Sequence, residues 1–223
     1  MATSNNDKPQ KSRWQGRIVW LIAFVIAFVA VKSYKQHAAD GEAIAQGTEK
    51  ATASMQQIQS QAAQQHPDQA LGVATSRAAA AQGQARLASE SGAQKADDAA
   101  GQFLGYYLAN VRARFDYCKS QGVDISAFVS AFRQRNAALY EKSRVINARG
   151  PYSADALENT TYNQMGPTIV QMIRKNTEDL AARANTTTTA LCQGLAAAPD
   201  EAVNQLDLSR INPPLYQALS EAQ

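Results

Sequence analysis

Three patterns of apolar and polar positions follow one another along the chain. From Ile18 to Val31 every residue is apolar; from Ala38 to Ala100 large apolar side chains are sparse; from Phe103 onward they recur at helical spacing. Each pattern predicts a different kind of element.

The first predicts a membrane span. As a helix, the strictly apolar run covers about 21 Å against a hydrocarbon core of roughly 30 Å. The shortfall is met by Arg17 and Lys32, whose stems can snorkel, and by Trp14, Trp20 and Tyr34, rings suited to the two interfaces. A single transmembrane helix is therefore expected over residues 14–34, as an uncleaved anchor in contact with the lipid bilayer. A cleavable signal would share the basic start and the short apolar run. However, the residues after the run are Lys32, Ser33, Tyr34, Lys35, Gln36 and His37, and Ala43-Ile44-Ala45 lies too far downstream for ordinary processing. Lys8, Lys11, Arg13 and Arg17 precede the run, whereas Lys32 and Lys35 follow it. That bias makes residues 1–13 a cytoplasmic tail and places the rest outside the cytoplasm, as in a single-pass protein of a bacterial inner membrane with a periplasmic domain.

The second pattern reads as a stalk over residues 35–100. Between Tyr34 and Phe103 no aromatic residue occurs, so this stretch lacks the material for a core of its own. Ile44, Thr48, Ala51, Met55, Ile58 and Ala62 fall at alternating steps of four and three, a thin heptad seam. A coiled coil, and with it a homo-oligomer joined through the stalk, is one expectation; an Ala/Gln-rich helix or flexible tether is the other.

The third pattern places an all-α domain, a small helical bundle, over residues 101–223. Leu104, Tyr107, Val111, Phe115 and Cys118 form one apolar stripe, leaving Arg112, Arg114, Asp116 and Lys119 on polar faces. Gln121-Gly122-Val123 should turn the chain into an antiparallel second helix carrying Ile125, Phe128, Val129, Phe132, Leu139 and Ile146, with Asp124 as its cap. A third helix starts at Ser153 or Asp155 and should break or kink at Gly166-Pro167 before Ile169, Met172, Ile173 and Leu180. Leu191, Cys192 and Leu195 mark a short helix ending before Pro199, and Pro213-Pro214 leads into a last one with Leu215 and Leu219. No stretch alternates as a strand.

Composition and charge narrow the chemistry. His37 and His66 are the only histidines and both precede the domain, which removes the usual general base and zinc ligand from it. No phosphate loop, dinucleotide fingerprint or calcium loop occurs. No cofactor or metal and no catalytic residue is assigned, and an enzyme is the least favoured class. Cys118 and Cys192, the only cysteines, sit on apolar faces. Outside the cytoplasm they are expected to pair as a disulfide, and two buried free thiols are the alternative. The net charge of +3 gathers before the span, so nucleic acid is not an expected partner. Within the domain, residues 101–150 are basic and the remainder acidic. Either the halves neutralise one another, or Arg133, Arg135, Lys142 and Arg144 form a partner-binding face.

Two functional classes follow. One is a structural or protein-interaction subunit of an envelope complex, with other membrane or periplasmic proteins as partners. The alternative is a membrane-tethered ligand-recognising, inhibitory or immunity domain. A pocket lined by Tyr106, Tyr107, Tyr140 and Tyr152 would favour the ligand, an exposed apolar groove a protein.

Overall fold

The computed structural model describes residues 53–54, 56–66, 69, 71–150 and 153–222. The expected tail, the span at 14–34, the upstream part of the stalk and Tyr152 lie outside the described residues. Among the described residues no helix is long and apolar enough to cross a membrane, and the architecture is all-helical with no strand.

The centre is a helical rod. It comprises α1's neighbour α2 (Gly92–Leu108), a π-helical turn (Ala109–Ala113) and α3 (Arg114–Ser120), with α1 (Leu71–Ser89) preceding it. Every residue of α2 from Ala96 to Leu108 is buried. A helix enclosed on all sides suits this sequence, because Ala99, Ala100, Gly101 and Gly105 let neighbours approach while Phe103, Tyr106 and Tyr107 supply apolar area. The rod ends where Gly122, at φ +74, turns the chain and Val123 N–H donates to the Cys118 carbonyl (3.0 Å).

The expected second helix is two helices, α4 (Ser126–Arg135) and α5 (Ala137–Asn147). The break is at Asn136, whose backbone leaves helical geometry (φ −100, ψ 9) and whose side chain donates to the Phe132 carbonyl (2.9 Å). Asp124 accepts from Ser126 N–H (2.8 Å), the expected capping contact one residue outside the helix. Phe132 packs on Tyr106 and Tyr107, Tyr140 stacks on Tyr107 at 4.2 Å, and Ser143 Oγ donates to the Ala100 carbonyl (3.1 Å). Contacts that descend the rod as residue numbers rise make α4–α5 antiparallel to α2, as the short turn implies.

α6 (Ala154–Ala184) runs without interruption through Pro167, so the expected break is absent. Ser153 caps its start by accepting from Ala156 N–H (3.2 Å). The lost proline hydrogen bond is tolerated because α6 is held along its length: Met165, Ile169, Met172, Ile173 and Leu180 are all buried. Asn185, at φ 50, ends the helix. Four short helices complete the chain: α7 (Thr188–Ala197), α8 (Pro199–Gln205), α9 (Leu208–Ile211) and α10 (Pro213–Ser220).

The stalk boundary expected at residue 100 requires correction. Residues 71–100 belong to the domain: Leu87, Ala96, Ala99 and Ala100 are core residues, and α1 packs on α6, where Gly72 N–H donates to Asp179 (3.0 Å) and Asn176 Nδ2 to Ser76 Oγ (3.2 Å). An alanine-rich segment cannot build a core, but it can close one that other helices supply. Of the heptad positions, Ile58 and Ala62 are among the described residues: 56–65 is helical and both are buried, Ile58 within the same apolar cluster as the domain core.

Candidate functional site

The four basic residues expected to form one face meet different groups of the chain. Arg135 meets Asp207 (3.2 Å) and Asn204 (2.5 Å), and Lys142 donates to the Ser220 carbonyl (2.5 Å) across a cleft between α4–α5 and α9–α10. Arg144 pairs with Asp155 (2.5 Å) at the start of α6, and Arg133 lies by the Tyr107 hydroxyl. Two of the four, Arg135 and Arg144, thus have acidic counterparts on this chain, whereas Lys142 meets a carbonyl and Arg133 a phenol.

Among the described residues, Tyr106, Tyr107 and Tyr140 are engaged with other side chains and the backbone. Tyr106 is fully buried and donates to the Leu206 carbonyl, Tyr107 stacks on Tyr140, and Tyr140 donates to Glu158 (2.5 Å). Burial raises the Tyr106 and Tyr107 phenols further above their ordinary range, so both remain neutral donors. With Phe103, Phe128 and Phe132 they constitute the core. Among the described residues the exposed large apolar side chains, Leu71, Val145 and Tyr216, stand on three different helices, α1, α5 and α10.

A different site emerges at the far end of the rod. Cys118 on α3 and Cys192 on α7 are disulfide-bonded, with Cα atoms 5.6 Å apart. The bond pins α7 against the rod, while Thr187 caps α7 by accepting from Ala190 N–H (3.0 Å) and Pro199 opens α8 immediately afterwards. Between α3, the end of α6, α7 and α8 these short helices leave a half-open pocket of about 370 Å³. Its walls are mainly apolar, with Leu180, Leu191, Leu195 and Ala202 among them, and the disulfide forms one side.

Arg114 belongs to that wall. It is 3% exposed, yet its Nε and Nη2 have no hydrogen-bond partner. Burial lowers the guanidinium to about pKa 10, a value that leaves it charged at neutral pH. The Leu206 carbonyl on the same wall is taken by Tyr106. Glu201, the other charged residue of the lining, is exposed at the rim.

Sequence periodicity assigns Arg114 to a polar face, and the π turn explains the error. Arg114 N–H donates to the Ala109 carbonyl, five residues back, so one extra residue enters the turn and the helix surface rotates by about 100°. The buried set after the turn is accordingly Ala113, Arg114, Tyr117 and Cys118, with Phe115 only partly covered. Asn110 was the available signal: a polar residue inside an apolar stripe, fully buried, its Nδ2 donating to the Tyr106 carbonyl (2.8 Å).

Among the described residues no group of three or more His, Cys, Asp or Glu side chains could hold a metal ion. No family model matches the chain, and neither curated proteins nor solved structures provide a match. The pocket must be read from its own geometry.

Proposed function

We propose that the chain is a membrane-tethered recognition domain: a disulfide-pinned helical bundle, held outside the cytoplasm by a span at residues 14–34, that binds a ligand between α3, α6, α7 and α8. One observation carries this reading: Arg114, in the wall of a mainly apolar pocket, is buried with two guanidinium nitrogens that have no hydrogen-bond partner. Buried donors are normally satisfied, and leaving a charged one unpaired costs several kcal/mol in order of magnitude. Such a cost is retained where a ligand repays it. The pocket volume falls at the small end of the range for small-molecule sites, about 300–1,000 Å³. This arrangement favours the ligand-recognising class over the assembly subunit, since the pocket has a buried, incompletely bonded charge in its wall while Arg135, Lys142 and Arg144 are engaged within the chain.

The test is occupancy of the pocket by small apolar molecules. Ligand-detected NMR on the full chain should show binding of short apolar fragments, and Gly194→Leu should abolish it. Gly194 is in the pocket lining and a Cβ there meets nothing within 4 Å, so a larger side chain is accommodated without disturbing the fold and narrows the pocket. Equal binding by both proteins, or by neither, would overturn the reading. Tethering is tested separately: a reporter active only outside the cytoplasm should work when fused after Gln223.

A further inference from the structure

We infer that the ligand of this pocket is a small amphipathic oxyanion, one carboxylate-like head group on an apolar body, with the head group held by Arg114. The inference rests on the pocket being the binding site, and it follows from which donors are free. Nε and Nη2 are the two nitrogens of one guanidinium edge, and their N–H bonds run parallel; both are covered in this arrangement of the pocket, so the head group reaches them once the Arg114 side chain, itself part of the lining, turns toward it. Two parallel donors match the two oxygens of a carboxylate, or two of a phosphate, in a bidentate contact, and charge-assisted bonds of this kind are the strong ones. A neutral carbonyl satisfies only one donor well. A cation is excluded by the charge.

The remainder of the wall sets the body. Leu180, Leu191, Leu195 and Ala202 offer apolar contact, and the polar Thr177 already donates its hydroxyl to the Ile173 carbonyl (2.7 Å). A ligand with further polar groups against these apolar residues would lose their hydration without recompense; the other uncharged polar lining residues are Tyr117, Thr186 and Gln205. Glu201 at the rim disfavours a second negative charge at the mouth, which points to one acidic group at the inner end. The acid can derive from a lipid chain or be a soluble aryl or alkyl acid; the head-group chemistry is shared.

Four probes separate these features in the full chain: octanoate, 1-octanol, benzoate and acetate, followed by ligand-detected NMR and by the thermal midpoint. Octanoate or benzoate should bind about tenfold or more tightly than octanol, consistent with a bidentate charge-assisted pair, and acetate should bind too weakly to shift the midpoint. Preference between octanoate and benzoate distinguishes a lipid-derived from an aryl source. Arg114→Met retains an apolar stem, removes an unpaired buried charge and should fold; it should lose the tenfold preference while octanol binding persists. Arg114→Lys should recover only part of it, because a point charge replaces the fork. Partition of the probes into detergent or lipid is the same for every variant and cancels in the comparison. Octanol and octanoate binding alike, with Arg114→Met indifferent, would overturn the ligand class and leave the pocket as the binding site. Failure of all four probes, with apolar fragments also failing, would overturn both.

Discussion

The two halves of the central rod both bury charge, and Asp98 in one and Arg114 in the other are treated oppositely. On α2, Asp98 is 4% exposed and is met by Arg86 of α1, with the Glu90 carboxyl beside it. On α3, beyond the π turn, Arg114 is 3% exposed and two of its nitrogens meet nothing. Degree of burial therefore does not distinguish them; the supply of partners does. Where α1 lies along α2 the fold provides a counter-ion, and where α7 and α8 leave a gap it does not. Arg135 and Arg144, nearer the surface, meet Asp207 and Asp155, whereas the more buried Arg114, at the pocket, has two nitrogens without a hydrogen-bond partner.

The largest expected effect comes from removing the partner side of that comparison. A chain starting at residue 101 cuts α2 in half and deletes Leu87, Ala96, Ala99 and Ala100 from the core. Loss of a buried leucine alone costs about 2–5 kcal/mol, comparable with the stability of many domains. The fragment 101–223 should give no cooperative thermal transition, whereas 53–223 should. A sharp transition from the shorter fragment would show that α1 and the first half of α2 are dispensable and would return the domain boundary to residue 100.

Next comes the pin that holds the unpartnered half together. The Cys118–Cys192 bond closes a sequence separation of 74 residues, and the chain-entropy relation assigns such a loop about 4 kcal/mol. Cys118→Ser with Cys192→Ser should lower urea stability by about that amount and loosen the pocket, so that probe binding weakens along with stability. Thiol blocking before non-reducing electrophoresis should leave both cysteines of the native protein unlabelled. Labelling of either one in folded protein would contradict the bond.

How these two halves were legible in the sequence differs for a physical reason. Helical class, the antiparallel return of α4–α5, the caps at Ser153 and the cysteine pair were readable, because they depend on local spacing and on residues whose chemistry has few alternatives. The break at Asn136 was not, since Phe132 and Leu139 stay in phase with a single helix across it. Continuity through Pro167 depends on packing along α6 that no local rule contains. Alanines of α1 and α2 look like stalk until a neighbour is present to close over them. Arg114 was the costliest miss, and it follows from one extra residue in a π turn. A single step of helical register moves a charge from solvent to core.

Reversing the sign of the Arg114 burden gives the third effect. Arg114→Met should raise stability by about 2 kcal/mol, the lower end of the several-kcal/mol penalty of an uncompensated buried ion, because the aliphatic stem keeps its packing while the charge is removed. Chemical denaturation of the full chain and of the variant measures it. A loss of stability of similar size would mean that the guanidinium is satisfied in the folded protein, and the argument for a ligand head group would fall with it.

The smallest effect sharpens the comparison from the paired side. Burial, then a hydrogen bond shared with Glu90, raises the Asp98 carboxyl from 3.8 to about 6 despite the opposing pull of Arg86. Between those two values the folded protein binds more protons than the unfolded chain, so stability falls as pH rises through the folded value; the contribution is fully present below about pH 4 and gone above about pH 7. Asp98→Asn keeps an oxygen to accept from Arg86 and has no proton to lose. Its thermal midpoint should fall less than that of the unsubstituted chain between pH 5 and pH 7.5, by a few degrees for a protein of this size. Arg114, charged throughout that window, should contribute no slope of its own, and Arg114→Met should leave the pH profile parallel to the original. Parallel profiles for Asp98→Asn as well would show that Arg86 holds Asp98 ionised throughout, and the α1–α2 seam would then contain a settled ion pair in place of a titrating acid.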